Sequence, residues 1–127
     1  SWQDNAIVDS GASRTYATRD APLRNVRASR ERVSVANGRT EDIREMGDLG
    51  VLKGALRVNS FTRTLVGVRD LVDQFGKVIF DDYGVHVETR RPGGRGASTL
   101  IGRPKRNRLY GFDANALERH ARKLSAG

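Results

Sequence analysis

The residues of this chain with the clearest catalytic chemistry are Asp9, Ser10 and Gly11. The apolar run from Ala6 to Val8 precedes them, which predicts a strand that ends in a turn and carries the aspartate at its end. Glycine adopts backbone angles that other residues avoid, which favours a tight turn here. Two carboxylates that share one proton can hydrolyse a peptide bond, because one activates water while the other polarises the carbonyl. A single Asp-Ser-Gly supplies half of such a site.

The sequence contains no second Asp-Ser-Gly or Asp-Thr-Gly. The nearest candidate runs from Asp82 to Gly84, but it lacks the hydroxyl residue and falls in a predicted hairpin loop. The second carboxylate must therefore come from another chain. A two-fold symmetric dimer brings equivalent residues together at its axis. We expect a homodimer in which Asp9 and its symmetry mate form the catalytic pair.

Short apolar runs separated by Gly, Asn, Asp and Pro predict a small, mostly antiparallel β domain. Alternation from Arg32 to Ala36 meets Asn37-Gly38, which is a strong hairpin signal, and Thr40 to Met46 is the predicted returning strand. A second hairpin is expected where Val78 to Phe80 and Val85 to Val87 flank a four-residue loop.

Helix is expected to be the minority state. Apolar positions from Leu65 to Phe75 follow helical spacing, which predicts one short helix near residues 68–75, ended by Gly76. Leu109 to Phe112 fits a final strand, and Asp113 can cap a helix from Ala114 to Leu124. The glycine-rich stretch between Arg90 and Gly96 predicts irregular structure.

The segment from Asp9 to Ser13 resembles the active-site signature of retropepsins, in the form found in copia-type long-terminal-repeat retrotransposons. Leu65 to Leu71 resembles the helix signature of that family. Val78 to Asp81 and Asn107 to Tyr110 resemble the downstream part of copia-type polyproteins. The resemblance spans residues 2 to about 112, so we interpret residues 1–112 as the protease domain and residues 113–127 as a helical tail or linker.

The resemblance implies a small, closed β-barrel-like acid-protease subunit that cleaves its own retrotransposon polyprotein as a homodimer. It makes Asp9 the catalytic carboxylate and Ser10 the hydroxyl that braces the two turns across the dimer. Substrate contacts would come from Gly11, Ser13, Asn37 and Gly38, the last two at the tip of a flap hairpin. The family requires no cofactor or metal, and the setting implied is cytoplasmic, within a virus-like particle.

The resemblance implies that Gly67 and Arg69 support the turn. Two departures from the viral enzymes affect this support. Ser13 stands where those enzymes carry an aspartate that engages substrate backbone and a helix arginine, so that ion pair is absent here. An extra residue, Val68, separates Gly67 from Arg69, which changes the direction expected for the arginine. The bracing of the turn is therefore open.

Simpler interpretations stand beside these. An Asp-Ser-Gly is also a common turn, since Asp and Ser bond their own backbone, and Asn37-Gly38 also fits an ordinary hairpin without a substrate. Likewise, the helical apolar positions fit core packing better than a binding groove. Only the combination of turn, hairpin and helix favours the protease interpretation over these.

The alternative function follows from charge, because the 127 residues carry a net charge of +8. Basic runs lie at Arg90 to Arg95 and at Arg103 to Arg108. Such a chain could be a catalytically idle interaction module of a retroelement particle that binds nucleic acid or a partner domain. It would contact phosphates without reading bases, because the aromatic residues are scattered along the sequence.

The remaining composition narrows the class of site. The chain has no cysteine, which excludes disulfides and thiolate metal ligands and favours a reducing environment. The two histidines, His86 on a predicted strand and His120 on a predicted surface helix, are too few for a histidine-rich metal site. No apolar run approaches the roughly 18 residues that a membrane span needs, so we expect no membrane partner.

Overall fold

A computed structural model of the chain describes residues 1–94 and 96–125. Helices α1, α2 and α3 comprise Trp2–Asn5, Val68–Phe75 and Ala114–Ser125. The strands are β1 (Ile7–Asp9), β2 (Tyr16–Ala17), β3 (Arg24–Ala28), β4 (Arg32–Ser34), β5 (Thr40–Asp42), β6 (Glu45–Leu49), β7 (Leu52–Arg57), β8 (Leu65–Gly67), β9 (Lys77–Asp81), β10 (Gly84–Thr89), β11 (Ala97–Gly102) and β12 (Tyr110–Gly111). The mostly β prediction is confirmed. None of the helices in the described ranges is long and apolar enough to cross a membrane.

The main sheet has seven strands in the order β12-β1-β8-β2-β7-β6-β3. The strand that carries the aspartate, β1, lies between β12, which is antiparallel to it, and β8, which is parallel. The described residues show no pairing between β12 and β3, the two edges of this sheet. The prediction of a closed barrel is therefore wrong. Closure needs an edge-to-edge ladder, and β12 offers only two residues for one.

The predicted Asn37-Gly38 hairpin is confirmed, with β4 antiparallel to β5. Asn37 and Gly38 have φ angles of 69° and 70°, the left-handed conformations that favour this residue pair in tight turns. The returning strand ends at Asp42 and a separate strand begins at Glu45, so the continuous strand predicted from Thr40 to Met46 is wrong. The interruption includes Ile43, whose side chain is buried in a small core cluster with Leu56 and Val58.

The second predicted hairpin is also confirmed, and it forms a three-stranded sheet in the order β11-β10-β9. Its loop is shorter than the four residues expected, because Asp81 and Gly84 pair directly and leave only two residues between them. The carboxylate of Asp81 accepts hydrogen bonds from the backbone N–H groups of Tyr83 and Gly84. These bonds, which sequence alone did not indicate, stabilise the tighter turn.

The predicted helix over residues 68–75 is confirmed as α2, and Leu65 belongs to β8 instead of to the helical run. Leu71 and Phe75 are the buried residues of α2, which matches the core-packing interpretation. The capping aspartate before α3 is also confirmed, since Asp113 Oδ1 accepts the backbone N–H of Ala116. The basic run ending at Arg95 lies partly outside the described residues.

Helix α3 packs on β11 and contributes Ala116 and Leu117 to the main core cluster. His120 is fully buried, so the prediction that it lies on the surface is wrong. Its Nε2 lies 2.8 Å from Thr89 Oγ1 and its Nδ1 lies 2.8 Å from Thr99 Oγ1. Because the Thr89 hydroxyl donates to the carbonyl of Phe75, Thr89 accepts from Nε2–H. Nε2 therefore carries a hydrogen, and the ring joins α3 to β10 and β11.

Acid should weaken the packing of α3. Burial lowers the pKa of His120, with a smaller contribution from the charge of Lys123, so the unfolded chain takes up this proton at a higher pH than the folded chain. The free energy of unfolding should therefore fall as the pH drops below about 6.5, the ordinary histidine value. Urea unfolding measured between about pH 7.5 and pH 5 checks this, because carboxylates contribute mainly below that window.

His120→Gln should flatten the pH dependence in this window, whatever its effect on absolute stability. Gln74→Ala is the control, since it removes exposed side-chain hydrogen bonds to Lys53 without removing a titratable group, so the wild-type slope should remain. An equal slope in the wild type and in His120→Gln would contradict the assignment.

Candidate active site

The turn after β1 is organised by the carboxylate of Asp9. The backbone N–H of Gly11 donates to Asp9 Oδ1 at 2.8 Å, and the N–H of Ala12 donates to the carbonyl of Asp9 at 3.3 Å. Backbone freedom was the expected reason for a glycine at position 11, but Gly11 does not adopt a positive φ. Instead, a Cβ atom at position 11 would lie 3.3 Å from Asp9 Oδ1. Glycine at position 11 thus leaves room for the carboxylate to bond the turn's own backbone.

Strand β8 supports the turn from the side, because Asp9 and Gly67 are paired residues of the parallel β1–β8 ladder. Gly67 donates its backbone N–H to Thr15 Oγ1 at 3.1 Å. A Cβ atom at position 67 would lie 2.6 Å from the carbonyl oxygen of Arg14, closer than such atoms approach. Only glycine fits this contact, which brings β8 against the backbone that follows the turn.

Helix α2 holds the segment after the turn through an aspartate that the sequence interpretation did not single out. Asp70 Oδ2 accepts the backbone N–H of Thr15 at 2.8 Å, and Thr15 is fully buried. The expected supporting residue, Arg69, instead pairs with Asp73 at 2.8 Å, with both side chains largely exposed. Successive helical residues differ in direction by about 100°, so Arg69 points outward where Asp70 points toward the turn.

A second link that sequence reasoning missed connects the turn to the base of the β4–β5 hairpin. Arg14 Nη1 lies 2.7 Å from Glu31 Oε1. Glu31 directly precedes β4, and its carbonyl accepts the backbone N–H of Ile43, directly after β5. The aspartate turn and the hairpin are therefore joined by one ion pair, although their residues are far apart in the sequence. No local pattern indicates such a pairing.

The aspartate and the hairpin tip line different cavities of the single chain. Asp9 and Ser10 border a hollow of about 380 Å³, which Phe80 and Tyr110 also line. Asn37 borders a cleft of about 460 Å³ between the hairpin and the segment from Ser60 to Leu65. The two cavities share no lining residue. Thus the structure brings Asp9, Ser10, Gly11 and Gly67 together and leaves Asn37 in a separate cleft.

The remaining predicted substrate contacts are exposed. Ser13 lies in a bend after the turn, and Gly38 lies at the hairpin tip, where a Cβ atom would meet no other atom within 4 Å. Both are accessible to a bound peptide in the single chain. Neither position is required by packing within the described residues.

The chemistry available to one chain is limited by its single carboxylate. Among the residues that line the hollow, Asp9 alone carries a carboxyl group. Asp82, the other aspartate considered from the sequence, is exposed in the β9–β10 loop. Within residues 1–94 and 96–125, no cluster of three or more acidic, histidine or cysteine residues could hold a metal. A carboxylate pair at this turn requires a second chain.

Removal of the Asp70 carboxylate should loosen the segment after the turn. Asp70→Ala leaves the buried N–H of Thr15 without its acceptor, which should lower the free energy of unfolding by about 1–3 kcal/mol. Asp73→Ala is the control from the same helix, because its exposed pair with Arg69 should contribute less than about 1 kcal/mol. Denaturant unfolding of both variants measures the difference, and equal losses would show that Asp70 does not brace the turn.

Comparisons with known proteins do not add to this geometry. No family model matches the chain, and no curated protein or solved structure matches it. The functional interpretation therefore rests on the residues of the turn, on the contacts that hold them and on the resemblance of their sequence to the retropepsin signature.

Proposed function

We propose that this chain is one subunit of a homodimeric aspartic endopeptidase of the retropepsin type, which cleaves the polyprotein of a copia-type retrotransposon. The observation that carries the proposal is the Asp-Ser-Gly turn at the end of β1, with its carboxylate bonded to the turn backbone and accessible from a hollow. Gly67 and Asp70 hold the segment that follows the turn, which keeps the turn in one position relative to β8 and α2.

The proposed reaction uses the two Asp9 carboxylates of a dimer, one ionised and one protonated. Two such groups a few ångströms apart share a proton, because like charges at that distance cannot both ionise. The ionised group takes a proton from a water molecule, and the water oxygen attacks the peptide carbonyl carbon. The protonated group donates to the carbonyl oxygen. Collapse of the tetrahedral intermediate then transfers a proton to the leaving amine, and the protein forms no covalent intermediate.

The β4–β5 hairpin fits the role of a flap. It forms a two-stranded sheet of its own, and its tip residues Asn37 and Gly38 are exposed. A two-stranded hairpin with few packing contacts is suited to move over a bound peptide and exclude water. The ion pair between Arg14 and Glu31 anchors the base of the hairpin to the turn, so movement would be greatest at the tip.

Asp9→Asn should abolish cleavage of a precursor at mildly acidic pH, because an amide can neither activate water nor share a proton. Release of fragments from a longer precursor, followed by gel electrophoresis, measures this. Asp82→Asn is the matched control, since it makes the same chemical change in an exposed loop and should leave processing intact. Identical processing by the wild type and Asp9→Asn would end the protease proposal.

The dimer requirement is tested with the same variant. Excess Asp9→Asn chain added to the wild type should inhibit cleavage, because mixed dimers hold only one carboxylate. A monomeric enzyme would not be inhibited in this way.

Gly38→Ala should slow cleavage by acting on the flap tip. The added methyl group meets no atom within 4 Å, so its effect comes from the φ of +70°, which costs alanine about 1 kcal/mol. Gly50→Ala is a close control, because Gly50 also has a positive φ of +61° and open space, but lies in the β6–β7 turn. We expect kcat/KM to fall severalfold for Gly38→Ala only. Equal activity in the two variants would argue against a flap role for this hairpin.

A further inference from the structure

Positive charge is concentrated toward the C-terminal end of the chain. Residues from position 101 onward hold seven of the 23 Lys and Arg residues and two of the 15 Asp and Glu residues. This segment therefore carries five of the eight net positive charges. The distribution indicates a surface that attracts a polyanion, and the structure shows how that surface is built.

The centre of this surface lies in the connection between β11 and β12, where residues 103–108 form what we name the basic arm. Its four cations are Arg103, Lys105, Arg106 and Arg108, and every residue of the arm is exposed. The arm is an ordered loop, because the N–H of Lys105 donates to the carbonyl of Leu109 at 2.7 Å and the N–H of Gly111 donates to that of Arg103 at 2.8 Å. Its cations are therefore presented in a defined arrangement.

On one side the arm borders a basic cleft of about 500 Å³, where Arg103 and Lys105 meet Arg119 of α3. The Nζ of Lys105 donates to the carbonyl of Asp4 at 2.7 Å, which fixes the position of its charge. Arg103 and Arg119 form no ion pair within the described ranges. Asp113 also lines the cleft, but its Oδ1 caps α3. Three cations and one carboxylate leave the cleft positive, with room for phosphate groups.

On the other side the arm reaches the hollow beside Asp9, where Arg108 lies with Phe80 and Tyr110. The two aromatic rings form an edge-to-face pair with centroids 5.1 Å apart, and Phe80 is 37% exposed. These two aromatic residues are scattered in the sequence but adjacent in the folded chain. Folding brings residues 80 and 110 together because β12 joins the main sheet next to the second hairpin.

We propose that the basic arm binds single-stranded nucleic acid, with phosphates in the basic cleft and bases against Phe80 and Tyr110. Phosphate contacts supply affinity, and exposed aromatic rings accept unpaired bases of any sequence. A duplex keeps its bases stacked inside and could use only the cations. The bases would lie in the hollow that Asp9 also lines, but their binding does not use the Asp9 carboxylate, so the nucleic-acid proposal and the protease proposal are tested separately.

Fluorescence anisotropy with a labelled oligothymidylate of about 20 nucleotides tests the site, because this strand lacks stable self-pairing. Affinity should fall linearly on logarithmic axes between about 50 and 200 mM KCl. The double variant Arg103→Gln/Arg119→Gln should weaken binding at least tenfold and reduce the salt slope by about 1.4, the value for two lost phosphate contacts on a single strand. Arg19→Gln/Arg30→Gln removes the same charge from other exposed positions and should cause little loss.

Phe80→Leu tests the stacking half of the site, since it retains apolar volume against Tyr110 but removes the flat ring. It should weaken oligothymidylate about fivefold or more and leave binding of a duplex of equal length unchanged. Three results would overturn the proposal: no salt-dependent binding by the wild type, equal losses from the two double-arginine variants, or no effect of Phe80→Leu on the single strand. Competition by polyglutamate as strong as that by oligothymidylate would also overturn it, in favour of an acidic protein partner.

Discussion

The candidate site depends on the close approach of β8 to the backbone of the turn after β1. Gly67 lies so near the carbonyl of Arg14 that any side chain would overlap it. This approach allows the parallel pairing of Asp9 with Gly67, and it places the first turn of α2 directly beside the turn. Asp70 can then reach the N–H of Thr15. One glycine contact thus allows β8, α2 and a partly buried hydrogen bond to hold the loop that carries Asp9.

The other edge of β1 makes the C-terminal part of the chain inseparable from this site. β12 pairs with Ile7 and Val8, and the N–H of Phe112 donates to the carbonyl of Ala6 at 3.0 Å. Helix α3 follows at once and is held to β10 and β11 by His120. The basic arm enters β12 directly, so its position next to Asp9 follows from this strand pairing. Charge and candidate catalytic group are therefore neighbours for a topological reason.

Features with local signals could be predicted from the sequence. Three local patterns each determine the conformation of the residues that carry them. They are the apolar run before Asp9, the Asn37-Gly38 pair and the spacing from Val68 to Phe75. Features set by contacts between distant residues could not be predicted. Whether the main sheet closes depends on which strands pair at its edges. The buried position of His120 depends on its hydrogen bonds to Thr89 of β10 and Thr99 of β11.

Arg69 and Asp70 show why the support of the turn could not be predicted from the sequence alone. The sequence predicted Arg69 as a supporting residue, but in the structure Arg69 pairs with Asp73. Nothing local indicated Asp70, because its partner is the backbone of Thr15 and that contact exists only in the folded chain. A motif specifies residue types, whereas the register of the helix decides which of them reaches the site.

The two proposed activities are connected through the electrostatic repulsion between the chains of a dimer. A dimer built at the Asp9 turn would bring together two chains that each carry a net charge of +8. At 0.1 M ionic strength, salt screens the repulsion between these chains at distances beyond about 10 Å. A polyanion bound to the basic arms would reduce the repulsion further. Phosphates bound in the basic cleft lie on the other side of the arm from Asp9, so they would lower the net charge of each chain without entering the hollow. Assembly of the carboxylate pair would then be favoured where the chain is concentrated on nucleic acid.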